Sequence, residues 1–423
     1  MGACKDRDRG NAQRKGAAAV TAPTSTAPAV ESRDAVVQGD VVLGQPTALT
    51  GKWTNHGVEL WRGASAAFST ANDAGGVHGR KIKLVLQDHA FNPDRAPASI
   101  VKLVEVDHAF AIFNGLGVPN VTRELPVVRQ FFQSHGLVYF SNYAGFDGER
   151  KPPHFEHVFN VRASTYQEAQ VMVGAFIAMG RKRIGFFGRE NAHLLPSLER
   201  ALSDKGLSFV ADQRYKLERK YEDSAAGEVK ALREAGVDAV MMLGPHEGLA
   251  GFIRDARMQG WDVPIHFGSQ TACDPVLSVL VDEEKGKKGL IAYNLFYTAT
   301  VPDVEDVSLL LVREYRAAID KYRPLVPPEM AGSTYAPTQP YGLLSLEGFM
   351  NAKAFVAVLQ HAGEKLTRKT FYEAAERIGK FDLGVGTPAE FSPTRHQALD
   401  KVWLFQASPT GWKATLAPTL VKK

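Results

Sequence analysis

From Val41 onward the chain switches regularly between two hydrophobic periods. "VVLGQPTAL" is a short apolar run closed by a polar turn, which predicts a strand. In "VELWRGASAAFSTANDA", Leu60, Ala64, Ala67, Phe68 and Ala71 fall at helical spacing. "RKIKLVLQD" sets Ile82, Leu84 and Leu86 against Lys81, Lys83 and Val85, so a second strand follows. "APASIVKLVEV" reads as a helix opened near Asn92, Pro93 and Asp94. "AFAIFNG" is a buried strand, "NVTRELPVVRQFFQSHG" a helix and "LVYFSNY" another strand. Strands that alternate with helices over short connections imply βαβ units on a parallel sheet.

The alternation restarts after about Asn160. Helix "YQEAQVMVGAFIAMG", strand "RKRIGFFG", helix "HLLPSLERALSDKG", strand "LSFVADQRY", helix "AAGEVKALREAG", strand "VDAVMMLG", helix "HEGLAGFIRDARMQG" and strand "VPIHFGS" follow in turn. The expected class is therefore α/β, with two doubly wound halves. After "GLIAYNLFY" come the helical blocks "DVSLLLVREYRAAIDKY" and "LLSLEGFMNAKAFVAVLQHAG", then a hairpin-like finish from "AEFSPTRHQALDKVWLFQAS" to "GWKATLA".

The glycines between the first helix and second strand exclude one class of function. In "NDAGGVHGRK", Gly75 and Gly76 end a helix, and His78 to Lys81 turn into the strand. A phosphate loop needs the opposite order, with strand, glycines and then helix, so that helix amides face the anion.

At 423 residues, with 44% hydrophobic and 23% charged, the chain is long enough for two cores. A net charge of +4, spread among acidic residues, gives no footing for a nucleic-acid partner. No run of about 18 apolar residues predicts a membrane-spanning helix. Residues 1–38 are rich in Ala, Thr, Ser, Pro and charge without period, and read as a flexible tether. The cysteines Cys4 and Cys273 are too few and too far apart for a disulfide framework or zinc site. No Gly-x-Ser-x-Gly elbow, HExxH helix or paired-cysteine set indicates an enzyme. Asp88, His89 and Asp94 lie at a strand end and a helix start, so capping is expected there, with no metal and no cofactor.

Several segments, in order, resemble bacterial periplasmic substrate-binding proteins of the branched-chain-amino-acid type. "TALTG" followed by "GASAAFSTANDAGGVHGRKIKLVLQDHAFNPDRA" is similar to their N-terminal region. "LGVPNVT" is similar to the turn after their third strand, "VFNVRAS" to the first crossover, and "VREYRAAI" and "SLEGFMNAKAFVAVLQHAGEKLTRKTFYEAAE" to the late helices. "FDLGVGTPAEFSPTRHQALDKVWL" resembles the closing strands, so the resemblance spans about Val41 to Lys413. It implies the type I periplasmic-binding-protein fold, with two Rossmann-like lobes joined by three crossovers. These are expected near Asn160–Ser164, Tyr293–Tyr297 and Phe381–Phe391. Lobe 1 would hold 41–160 and 296–385, and lobe 2 would hold 164–292 and 390–419. "MGAC" resembles the end of a lipoprotein signal, which makes Cys4 a lipidation candidate on a periplasmic, membrane-tethered protein. The family performs no covalent chemistry. The expected partners are a small-molecule ligand and the membrane permease of an ABC transporter, and the binding protein itself is expected as a monomer. The alternative is a ligand-sensing module of the same fold that reports to a signalling partner.

In open α/β sheets the ligand lies at the carboxyl ends of strands. The resemblance then nominates Trp53, Asn55 and His56 after the first strand, Gly117, Val118 and Asn120 after the third, and Ser141, Asn142, Tyr143 and Ala144 after the fourth. The second lobe offers Arg189, Glu190 and Asn191, then His246 and Glu247, then Gln270, with Phe296 and Tyr297 at the second crossover. Amino-acid binders of the family commonly carry hydroxyls at positions matching Val118 and Ala144, and often an acid at the one matching Gln270. A desolvated zwitterion needs charge-matched partners, so an ordinary aliphatic amino acid is not the expected ligand. An amino acid derivative, a carboxylate or a more apolar compound is.

Overall fold

Apolar runs flanked by glycine and amphipathic stretches become the strands and helices of two α/β lobes. The computed structural model describes residues 32–190, 192–216, 219–284, 291–337, 339–408 and 411–420. Cys4 and Asn191 lie outside the described residues, as does most of the expected tether. Residues near its end are docked, since Val37 N–H donates to Leu366 O at 2.9 Å.

The first lobe opens with β1 (Val41–Thr47), α1 (Thr54–Asp73), β2 (Ile82–Asp88), α2 (Ala96–Glu105), β3 (Ala111–Phe113), α3 (Val118–His135), β4 (Tyr139–Phe140) and β5 (Val158–Phe159). The second runs through α4 (Thr165–Ala178), β6 (Ile184–Arg189), α5 (Leu195–Ser203), β7 (Ala211–Tyr215), α6 (Ala226–Glu234), β8 (Ala239–Leu243), α7 (His246–Met258), β9 (Ile265–Phe267), α8 (Cys273–Glu284) and β10 (Leu295–Ala299). Then come α9 (Leu310–Tyr322), α10 (Leu343–Ala362), α11 (Arg368–Arg377), β11 (Gly379–Phe381), β12 (Ala389–Phe391), β13 (Trp403–Ser408) and β14 (Gly411–Ala414).

Among the described residues, β2-β1-β3-β4-β5 form one parallel sheet, and β14-β13-β10-β9-β8-β6-β7 form a second. In the second sheet β13 and β14 run antiparallel, while the rest is parallel. The glycine pair turns as expected. Gly76 has φ 76°, its N–H closes the end of α1 on Ala71 O, and a Cβ there would meet Arg80 O at 2.2 Å. At the head of α4, Ser164 and Gln167 form a reciprocal capping box, which fixes where the second lobe begins.

Late helices complete the first lobe. α1 packs against α9 and, at a spacing only glycine permits, against α10. A Cβ on Gly63 would sit 1.6 Å from Ser345 O, and one on Gly348 would sit 2.1 Å from Leu60 O. Phe355 of α10 then meets Phe68, Phe113 and Phe140 edge-on in the core.

Two crossovers differ from expectation. β10 pairs with β9 and β13, so the chain leaves the second sheet after Ala299 rather than at 293–297. A fully buried strand can serve either sheet by its period, and its partners decide which. The segments near 381 and 391 form the β11-β12 ribbon, whose Phe391 packs on Phe140 and Phe159 of the first lobe. The third crossing comes later, where Ala398 N–H donates to Asn160 O and Leu399 N–H to Val161 O. The first and third crossovers thus run side by side.

Candidate functional site

Each sheet reverses its winding once, between β1 and β3 in the first lobe and between β6 and β8 in the second. The loops that leave those strands face one another, and a cavity of about 70 Å³ lies between them. Its first-lobe wall is Trp53, Phe91, Leu116, Gly117, Val118, Pro119 and Tyr143; its second-lobe wall is Arg189, Ala192, His193, Leu194, Leu243, Gly244 and Gln270. The indole of Trp53 stacks on Phe91 with ring centroids 4.2 Å apart and planes 11° from parallel. Phe91 takes a left-handed φ of 56°, and its N–H donates to His89 Nδ1 at 3.0 Å.

The lobes touch around this cavity. The Tyr143 hydroxyl donates to Ser269 O. Thr165 N–H donates to Gly145 O at 2.7 Å. Lys52 Nζ lies 3.0 Å from Glu247 Oε2 at the rim. His56 sits behind Trp53, 4.8 Å between rings; its own burial, with His246 nearby, holds its pKa at about 3, so the ring is neutral.

Below Tyr143 lies a buried ionic hub. The Arg162 guanidinium is 4.5 Å from the Tyr143 ring centre, 3.2 Å from Glu168 and 3.3 Å from Glu347. Its side chain is 1% exposed. Burial alone would lower its pKa, but the Glu347 and Glu168 carboxylates more than offset this and raise it. Glu168 also accepts from Ser269 Oγ at 2.6 Å and Thr298 Oγ1 at 3.1 Å, while Glu347 accepts from Thr300 Oγ1 at 2.9 Å. Arg162 lies on the first crossover, Glu168 on α4 and Glu347 on α10, so this charge network joins both lobes.

The nominated residues separate into groups. Trp53, Gly117, Val118, Tyr143 and Gln270 line the cavity. His56, Ser141 and Asn142 are buried beside the loops. His246 and Glu247 open α7 at the rim. Asn55 accepts from Tyr335 Oη at 2.9 Å and borders a separate small void with Glu59. Asn120 does not line the cavity, because its Nδ2 donates to Leu116 O at 2.9 Å and ties down the start of α3. Ala144 is fully buried in the core under α3 and α4. Glu190 is exposed, and its N–H extends the pairing to Tyr215 O. Phe296 turns into the second lobe toward His266, because β10 is an interior strand of that sheet, while Tyr297 packs on Phe267 and Trp412 and borders the same small void as Asn55 and Glu59, apart from the main cavity. Phe91, Leu116, His193, Leu194 and Leu243 line the cavity without having been nominated. Phe91 follows β2, so the strand-end rule reaches it.

The sequence pattern of the periplasmic binding protein family matches residues 40–412. The chain belongs to this family. Among solved periplasmic binding proteins and relatives, a possible leucine/isoleucine/valine-binding protein from Rhodopirellula baltica SH 1 is 26% identical, with a TM-score of 0.75 over 92% of this chain and 98% of that one. A fatty acid ABC transporter substrate-binding protein from Thermomonospora curvata shares the fold at 20% identity, with a TM-score of 0.72 over 91% and 95% of the two chains. An amino acid binding protein of Pseudomonas aeruginosa is 45% identical over 73 residues, which take in 17% of this chain and 20% of that relative. The described residues include no helix long and apolar enough to cross a membrane.

Proposed function

We propose that this periplasmic binding protein captures a small organic ligand between its lobes and delivers it to the membrane permease of an ABC importer. The observation that carries this reading is the cavity at both winding reversals, walled by residues of both lobes. A ligand there stabilises the closed arrangement through contacts that an open one lacks. The names of the Rhodopirellula and Pseudomonas relatives support a ligand of amino-acid scale. The apolar Val118 at the cavity wall supports one other than an ordinary aliphatic amino acid. The role requires no covalent chemistry, and the protein acts as a periplasmic monomer, tethered through Cys4.

Calorimetry and thermal-shift screening against amino acids, small carboxylates and neutral aromatic compounds test this, with small-angle scattering to follow closure. The expected result is one class bound with Kd below about 100 µM and a reduced radius of gyration. No binding across the panel, with unchanged scattering, removes the reading.

A further inference from the structure

The cavity wall carries a cation and holds no anion of its own. None of its lining residues is Asp or Glu. Arg189, at the end of β6, presents its guanidinium there, and its Nε makes only a long hydrogen bond to Glu190 O at 3.4 Å. No carboxylate among the described residues pairs with it. Burial lowers its pKa, and only Tyr215 works in the other direction. Two more donors are stranded nearby, since neither the Trp53 indole N–H nor the Gln270 side-chain Nε2 has a partner among the described residues. The start of α3, at Gly117 and Val118, adds the partial positive charge of a helix N-terminus. Beside these donors the wall is apolar, with the Trp53–Phe91 stack and Leu116.

Ligand charge follows from this arrangement. An ammonium group brought into the cavity would shed water, meet no carboxylate and face a cation. A carboxylate would receive the paired N–H groups of a half-buried guanidinium that has no carboxylate partner among the described residues. We infer that the ligand is a singly charged carboxylate with an apolar body and no ammonium group, its carboxylate on Arg189 and its body along Trp53 and Phe91. The inference rests on the solute-binding reading above.

The test crosses a change in the ligand with a change in the protein. The full chain is titrated with phenylacetate and octanoate, with phenylacetamide and octanamide, and with L-phenylalanine and L-leucine. At least one acid should bind, with its amide about 10- to 100-fold weaker, the range expected for a charged hydrogen-bonded contact. Arg189→Gln should weaken that acid by a similar factor and the amide by clearly less, while Arg189→Lys recovers part of the loss. Melting curves report whether the variants fold, and the acid–amide comparison on the unaltered protein needs no variant. An amide as tight as its acid, an amino acid tighter than both acids, or an acid indifferent to Arg189→Gln would overturn the inference. So would failure of both acids to bind. Binding of an amide or amino acid in their place leaves the solute-binding reading standing, whereas silence across the panel with no closure removes both.

Discussion

Lys52 Nζ and Glu247 Oε2 meet at 3.0 Å from opposite lobes, and both side chains remain about a third or more exposed to water. An ion pair in such a setting contributes roughly 0.2–1 kcal/mol. Glu247→Ala is therefore expected to weaken ligand binding no more than about fivefold, through faster release, and raising the salt should erase the difference. Stopped-flow release rates at low and high salt check this. A loss of about fiftyfold or more would show that Glu247 touches ligand rather than latching the rim.

Arg162 makes a different case because its side chain is 1% exposed and serves two carboxylates. Removing it strands Glu168 and Glu347 in the interior. Arg162→Met should lower unfolding stability by about 3–5 kcal/mol in urea titrations. A cost under about 1 kcal/mol would mean that water reaches the hub and replaces the guanidinium.

Two helix glycines should respond to alanine with opposite signs. In isolation Ala favours a helix over Gly by up to about 1 kcal/mol. Gly63→Ala must push α10 away, since the new Cβ would fall 1.6 Å from Ser345 O, and a net loss of about 1–3 kcal/mol is expected. Gly174 of α4 has open space around its Cβ position, so Gly174→Ala should stabilise by about 0.5–1 kcal/mol. Chemical denaturation of both variants reads the two signs directly.

Stability should pass through a maximum near neutral pH. Burial lowers the pKa of His56, His157 and His266 to about 3 and of His89 to about 4. The unfolded chain binds more protons at these sites, so their contribution is full above about 6.5 and is lost as pH falls. Glu124, on α3, is the opposite case: burial raises its pKa to about 8, although Tyr139 donates to it. Its contribution is full below the unfolded value and is lost as pH rises through 8. Glu124→Gln keeps an acceptor for Tyr139 and removes a loss that runs from about pH 4.5 to 8, so the decline between pH 6.5 and 8 should flatten and the rise below pH 6.5 should steepen. Melting temperatures across pH 4–9 decide it; an unchanged alkaline limb in the variant would sink the assignment.

Much of the architecture was legible because it is local. Ile82, Leu84 and Leu86 alternate, the glycines at 75 and 76 stop a helix, and each strand–helix pair declares itself within a short window. Partnership between distant segments was not. Nothing in the period of Leu295–Ala299 says that Trp403–Ser408 will lie beside it, and that pairing moved the second crossover and turned Phe296 into the second lobe. At the site, Trp53, Val118 and Tyr143 followed from their strand-end loops. Ala144 shares such a loop yet packs inward, since neighbouring residues point to opposite sides. The unpaired state of Arg189 was invisible, because an absent partner is a property of the surroundings rather than of the residue.

The pairing of β13 with β10 also bears on how the protein is made. A ribosome that has released Phe159 has supplied every strand of the first sheet, yet the glycine-lined side of α1 waits for α10, nearly two hundred residues later. The second sheet waits longer still, for the strands at Trp403–Ser408 and Gly411–Ala414. Neither lobe can finish while the chain is still growing. Each core is therefore completed by segments from the last fifth of the chain, and a truncation that removes them leaves both lobes without a packing partner.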